Sequence, residues 1–193
     1  GFAFARTFHP AMKYAGPIRA KLGVPTIFNT LGPLSHPGFL KRQVVGVPSP
    51  ETAEIMAKVL QSTGTDLGMV VTGHNGLDEL SITGPNLAHI ITPEKIETTE
   101  IHPSDLGITT VTPERIYGGG PQDNAQIAIQ ILNGESGPKS DIIVLNAAAG
   151  LVVAGIAENL VDGIERARSS IDSGAAKSKL QELQTFTQEL IPK

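Results

Sequence analysis

The chain is 193 residues long, with 40% hydrophobic and 18% charged residues and a formal net charge of -4, which suffices for one substantial core within the size of a single domain. An acidic balance without clustered Lys and Arg points away from nucleic acid and anionic membranes, and towards a small substrate or another protein. With no cysteine there is no disulfide framework, thiolate zinc site or cysteine nucleophile, and a reducing cytoplasm is the expected compartment.

The opening GFAFARTFHP lacks the charged leader and long apolar run of a signal peptide, so no export is expected. Pro10, Pro17, Pro25, Pro33 and Pro37 divide the first forty residues into pieces too short for one long helix, predicting helical turns and an ordered loop. RQVVGV then reads as a strand. Pro50 to Thr63 reads as a helix with Ile55, Met56, Val59 and Leu60 on one face. Pro50 and Glu51 suit its first turn, where proline loses no hydrogen bond and a carboxylate complements the dipole, and Gly64 marks its end. LGMVVTG is a short, fully apolar strand of the kind found inside a parallel sheet covered on both faces. LAHIIT and IETTEI add two more strands.

From Pro121 onward the pattern is helical: QDNAQIAIQIL, LNAAAGLVVAG, VDGIERARSSID and KLQELQTFTQEL. Ile142 to Ala157 is the most apolar stretch, but Asn146, Gly150 and Gly155 interrupt it. It falls short of the roughly 20 residues of a spanning helix, so a buried core helix is expected. Leu180, Leu183, Phe186 and Leu190 recur at helical spacing, predicting an amphipathic helix packed on the core. The expected fold is α/β, a central, mostly parallel sheet flanked by helices with a helical C-terminal region, in one unit over residues 1–193.

Three clusters carry chemistry-bearing residues. In HPAMKYAGPIRAKLGVPTIFNTLGPL, His9, Lys13 and Arg19 sit among small residues and prolines. The Arg19 guanidinium is a planar donor fork that matches a carboxylate and stays charged at physiological pH; the plain alternative is a solvated arginine. For His9 the plain reading is a side chain that caps or orients the next turn. In VVTGHNGLDELSITGP an apolar strand runs into Gly73 and Gly76 and then presents Asp78 and Glu79. Ligands of open α/β sheets bind beyond the carboxyl ends of strands. Paired carboxylates there suit Mg²⁺, a hard cation that keeps waters and bridges to substrate phosphates. The alternative is a solvated, inert acidic pair. His74 lacks partners at zinc spacing.

Gly118, Gly119 and Gly120 precede a helix bearing Asp123 and Asn124, so backbone amides there either cradle an anion or form a turn with a cap. Asn146, an amide in an apolar helix, must find partners to offset its burial, and is expected to tie that helix to a neighbouring backbone. No serine lies in a nucleophile elbow, so a hydrolase triad has no support.

Taken in order, FAFARTFHPAMKYAGPIRAKLGVPTIFNTLGPL, GLDELS, GGGPQDNA and LNAAAGLVVAG resemble successive signature segments of the anthranilate phosphoribosyltransferases. The resemblance covers nearly the whole chain. It implies that Arg19 holds the carboxylate of anthranilate, that His9, Met12, Gly32 and Pro33 line the anthranilate path, and that Asp78 and Glu79 bind the Mg²⁺ of phosphoribosyl pyrophosphate. The implied reaction is attack of the anthranilate amine on the anomeric carbon of the ribose with loss of pyrophosphate.

The family's upstream helical domain and glycine-rich phosphate loops have no counterpart in these 193 residues, so a partial catalytic domain is expected. The family homodimer, which forms mainly through that helical region, would then depend on it. Arg6 stands where the family usually has proline, and SHPG at 35–38 where TNPA is usual; the first bears on anthranilate entry and the second is a loop change. Two other readings compete: a non-catalytic or split piece of the enzyme, and a pyrimidine nucleoside phosphorylase, whose phosphate and base motifs are not visible.

Overall fold

The computed structural model describes residue 8 and residues 12–24, 26–36 and 38–189, and of Met12, Ala15, Arg19, Ala20, Phe28 and Asn29 the backbone alone. Two compact units divide the chain, residues 1–40 and 41–193.

The first unit carries helices α1 (Met12–Leu22) and α2 (Phe28–Leu34), with Pro17 inside α1 and Pro33 inside α2. The expected short helical pieces are both present. Thr30 and Leu31 donate their backbone N–H groups to Ile27 O at the start of α2, and the Ser35 hydroxyl caps Leu31 O at 2.7 Å at its end.

The second unit is built on a four-stranded sheet in the order β1-β2-β3-β4. β1 (Arg42–Gly46) leads through helix α3 (Pro50–Ser62) to β2 (Leu67–Thr72), and the two strands pair in parallel, Val45 opposite Val70. The α3 start follows its sequence: Ser49 Oγ accepts Thr52 N–H at 3.2 Å, Pro50 occupies the first turn, and Gly64 takes φ +85° just beyond the end. β3 (Asn86–Ile91) and β4 (Ile96–Ile101) both pair antiparallel.

The described sheet is thus mixed, with one parallel and two antiparallel pairings, where a mostly parallel one was expected. The reason lies in residues 92–95. Only four residues join β3 to β4, closed by Thr92 N–H to Lys95 O at 2.9 Å, whereas a parallel return needs a crossover of about a dozen residues or more. The apolar run LGMVVT showed correctly that β2 is covered on both faces, since every residue from Gly68 to Thr72 is buried. That property belongs to a central strand of either kind.

Helices line both faces. Met69 and Val71 join Leu145, Ala148 and Ala149 in one core cluster, and alternation sends Val70 to the other face, where α3 buries Ala53, Met56, Ala57 and Leu60. Helices α4 (Pro121–Leu132), α5 (Pro138–Ala154), α6 (Leu160–Asp172) and α7 (Ala175–Glu189) complete the unit. α5 is the expected buried helix. It meets α6 so closely that a Cβ on Gly163 would lie 2.9 Å from the Ala148 Cβ and carbonyl oxygen. α7 differs from expectation: none of its described residues is buried, and Phe186 is 59% exposed. Only Ala176, Leu180 and Leu183 are half-covered, one short row rather than the wide apolar stripe that seats a helix on a core. Leu190 lies outside the described residues.

Candidate active site

The chain leaves β2 at Thr72 and turns back on itself within five residues. Gly73 donates its N–H to Leu77 O at 2.7 Å, Gly76 donates to Gly73 O at 3.1 Å, and Asn75 and Gly76 take left-handed φ values of 59° and 76°. This tight reversal lays Asp78 and Glu79 alongside the ends of β1 and β2. The approach is so close that a Cβ on Gly46 would sit 1.7 Å from the Asp78 carbonyl oxygen, and one on Gly73 would sit 2.2 Å from that of Glu79. Glycine is required at both places for space alone, because neither has a positive φ.

Beyond the acidic pair, Leu80 is fully buried in the main core cluster, a burial worth about 1.5–3 kcal/mol. Its backbone is held from α5 by Asn146, whose Oδ1 accepts Leu80 N–H at 2.9 Å while Nδ2 donates to Leu80 O at 2.8 Å and to Ile142 O at 2.9 Å. Asn146 therefore ties its helix to a neighbouring backbone, as its sequence setting suggested. Next along, Asn86 Oδ1 accepts Ser81 N–H at 2.6 Å, and Asn86 Nδ2 faces the carbonyls of Ser81, Gly84 and Ile101. The backbone on the C-terminal side of the acidic pair is fixed by two buried or half-buried amides.

The carboxylates themselves remain exposed, and neither takes part in the ion pairs found among the described residues. The Glu79 carboxyl is pushed above the usual carboxylate range, first by desolvation and then by the negative charge of Asp78. A pair of like charges with no ion-pair partner among the described residues fits a hard divalent ion that completes its shell with water or phosphate oxygens. It does not fit an all-protein cage, since no group of three or more His, Asp or Glu that could hold a metal exists among the described residues. His74 packs its ring against Gly84, where a Cβ would lie 2.5 Å from the ring.

Gly118–Gly120 resolve towards the cap. Gly119 N–H donates to Asn124 Oδ1 at 2.9 Å and Gly120 N–H to Asp123 Oδ2 at 3.0 Å, so the helix's own side chains occupy the amides an anion would have used. A cavity of about 720 Å³ lies elsewhere. Its floor includes Met69, Ile90, Ile101 and Val152, and Glu100, Asp105, Asp162 and Glu165 also line it; neither Asp78 nor Glu79 does.

The substrate-path candidates belong to the first unit. Met12 opens α1 and Arg19 lies within it. Gly32 and Pro33 are half-buried in α2, and Gly32 O accepts Ser35 N–H at 3.2 Å. His9 and Arg6 lie outside the described residues. The second unit brings Asp78 and Glu79 together with Gly46, Gly73, Asn86 and Asn146. Gly46 was not singled out in the sequence, although an isolated glycine inside RQVVGV is the usual sign of a close backbone approach.

A family model described as "Glycosyl transferase family, a/b domain" matches residues 1–177. An anthranilate phosphoribosyltransferase of Azorhizobium caulinodans is 45% identical over 192 residues, covering 100% of this chain and 56% of the relative. The crystal structure of the anthranilate phosphoribosyltransferase of Thermus thermophilus superposes with a TM-score of 0.88 at 40% identity, over 97% of this chain and 56% of that one. The Saccharomyces cerevisiae enzyme in complex with phosphoribosyl pyrophosphate and Mg matches with a TM-score of 0.80 at 33% identity, over 90% of this chain and 50% of that one. The chain spans about half the length of these relatives. On this match, the chain belongs to the glycosyl transferase family with the a/b domain and resembles, within it, the C-terminal part of the anthranilate phosphoribosyltransferases.

Proposed function

We propose that this chain is the larger, α/β part of an enzyme that transfers a phosphoribosyl group from phosphoribosyl pyrophosphate to anthranilate, releasing pyrophosphate in tryptophan biosynthesis. The observation that carries the reading is the acidic pair on a fixed backbone just past β2, outside the ion pairs found among the described residues, in a chain of this family.

In this reading the Arg19 guanidinium receives the anthranilate carboxylate as a bidentate pair and orients the ring. His9, Met12, Gly32 and Pro33 line the approach. The lone pair of the anthranilate amine forms the new bond to the anomeric carbon while the bond from that carbon to pyrophosphate oxygen breaks, through an oxocarbenium-like transition state. The protein's share is positioning, which alone supplies about 7–11 kcal/mol in well-oriented systems. Asp78 and Glu79 would hold Mg²⁺, which when bound neutralises charge gathering on the departing pyrophosphate. No helix among the described residues is long and apolar enough to cross a membrane, and a cytoplasmic setting is part of the proposal.

A second reading, that the working enzyme needs more chain than these 193 residues, is favoured by the exposed Tyr14, Ile18, Leu22 and Val24 of the first unit. Apolar groups gathered this way are commonly covered by other protein. A homodimer formed through that additional chain belongs to the same reading.

Steady-state kinetics of substituted enzyme test the site. Arg19→Ala is expected to raise the anthranilate KM with little change in that for phosphoribosyl pyrophosphate, and an unchanged anthranilate KM removes Arg19 from the site. Asp78→Asn with Glu79→Gln is expected to raise the Mg²⁺ requirement; an unaltered metal dependence removes the pair.

A further inference from the structure

We propose that Asn146 is a positioning residue for the acidic pair, setting its affinity for a divalent cation by fixing the backbone that immediately follows Glu79. The inference rests on the metal reading of Asp78 and Glu79.

The argument begins with how completely the amide is used. Asn146 has one acceptor oxygen and two donor hydrogens on the side that faces the loop and its own helix. The oxygen takes Leu80 N–H, and Nδ2 reaches Leu80 O and Ile142 O, all within 2.8–2.9 Å. The bond to Ile142, one turn earlier in α5, fixes the amide plane. The other two engage both polar groups of a single residue, so Leu80 can neither slide along the amide nor rotate away from it.

Leu80 is the covalent neighbour of Glu79, and Gly46 and Gly73 confine the other side. A Cβ at either would strike the carbonyl oxygens of Asp78 or Glu79 at 1.7 or 2.2 Å. The main chain of the pair thus lies between two close glycine backbones and one two-pronged amide. Two carboxylates of like charge would move apart if their backbones were loose, since adjacent anions repel. Holding that backbone before a cation arrives removes the ordering cost from binding, the same economy by which groups behind metal ligands raise affinity.

A plain core amide would do something different. It would stabilise α5 and leave metal affinity untouched once the protein is folded. Asn146→Leu keeps the size and removes all three hydrogen bonds. Asn146→Asp keeps an acceptor for Leu80 N–H and sets a carboxylate oxygen against two carbonyls.

The experiment is titration of Mn²⁺ into this chain in the presence of inorganic pyrophosphate, read by the paramagnetic resonance of free Mn²⁺. Hydrogen exchange of the Leu80 amide and thermal melting are followed on the same samples. The parent, Asn146→Leu, Asn146→Asp, Asp78→Asn with Glu79→Gln, and Ile164→Ala as a control that loosens the core on α6 are compared. Faster Leu80 exchange and an affinity about 10- to 100-fold weaker in both Asn146 variants, with the control binding like the parent, is the expected result. Parent-like affinity in folded Asn146 variants, or an equal loss in the control, overturns the positioning role while the acidic pair stands, provided its own substitution abolishes binding. Binding that survives loss of both carboxylates, or is absent from the parent, removes the metal reading itself and this inference with it.

Discussion

Two glycine-bearing loops in the second unit share a plan and end differently. Gly73–Ser81 and Gly118–Asn124 each bring glycines ahead of acidic side chains. In the second loop the acid and its neighbour are consumed locally: Asp123 and Asn124 accept the N–H groups of Gly120 and Gly119, three and five residues back. In the first, the glycine amides go to the turn's own carbonyls, Gly73 N–H to Leu77 O and Gly76 N–H to Gly73 O, Asn146 holds Leu80 from 66 positions away, and the two carboxylates are left exposed. An acidic residue beside a glycine turn becomes a cap when nothing else serves the turn's amides, and stays available for a ligand when the turn's own carbonyls do.

The comparison breaks most violently at Gly46. Gly46→Ala places a methyl group where the Asp78 carbonyl already lies, so the acidic loop must leave the end of β1. The expected cost is about 3 kcal/mol or more, at the top of the range for overpacking, read as a lower denaturant midpoint. A midpoint equal to the parent's would show that the loop is softer than its backbone contacts imply.

A smaller effect sharpens the other side of the comparison. Asn124→Ala together with Asp123→Ala removes the cap of α4 and is expected to cost about 0.5–2 kcal/mol for each side chain lost, with Mn²⁺ binding unchanged. Weakened metal binding in that variant would mean that the glycine triplet serves a ligand after all.

The smallest expected effect is one of pH. His89 is buried on β3, its Nδ1 lies 3.0 Å from Thr98 Oγ1, and its Nε2 has no partner among the described residues. Burial pushes its pKa below the ordinary 6.5, with Glu54 opposing the shift. The unfolded chain therefore takes up a proton as pH falls through about 6.5 while the folded chain does not. The stability that neutral His89 contributes is complete above that pH and is lost as pH falls towards the depressed folded value. His89→Asn is expected to flatten the fall in melting temperature between pH 7.5 and 5.5, and an equally steep fall in the variant would assign the effect to other groups.

Local features of this fold were legible in the sequence. The strand at 67–72, the helix opening at Pro50, the stop at Gly64 and the succession of helices after Pro121 each depend on neighbours within one or two turns, and each is where periodicity and capping chemistry put it. The direction of β3 and β4 was less legible, because it hangs on the length of one four-residue turn rather than on any strand's own composition. The shallow seating of α7 depends on what faces it, which its apolar spacing does not record. In the candidate site, Asp78 and Glu79 stood out by type and by their place after a strand. Their support did not, since Gly46 and Asn146 reach the loop from distant segments while Asn86 closes on Ser81 from five residues on, and only the isolated glycine in RQVVGV and the lone amide in an apolar helix hinted at it.

The central claim is the transfer itself, and anthranilate fluorescence followed with phosphoribosyl pyrophosphate and Mg²⁺ tests it most directly. The chain would be assayed alone and then with the upstream portion of the Azorhizobium caulinodans relative supplied. The account predicts loss of fluorescence in at least one of the two, dependent on both phosphoribosyl pyrophosphate and Mg²⁺, and abolished by Asp78→Asn with Glu79→Gln. Steady fluorescence in both would contradict it and leave a folded member of the family without the reaction.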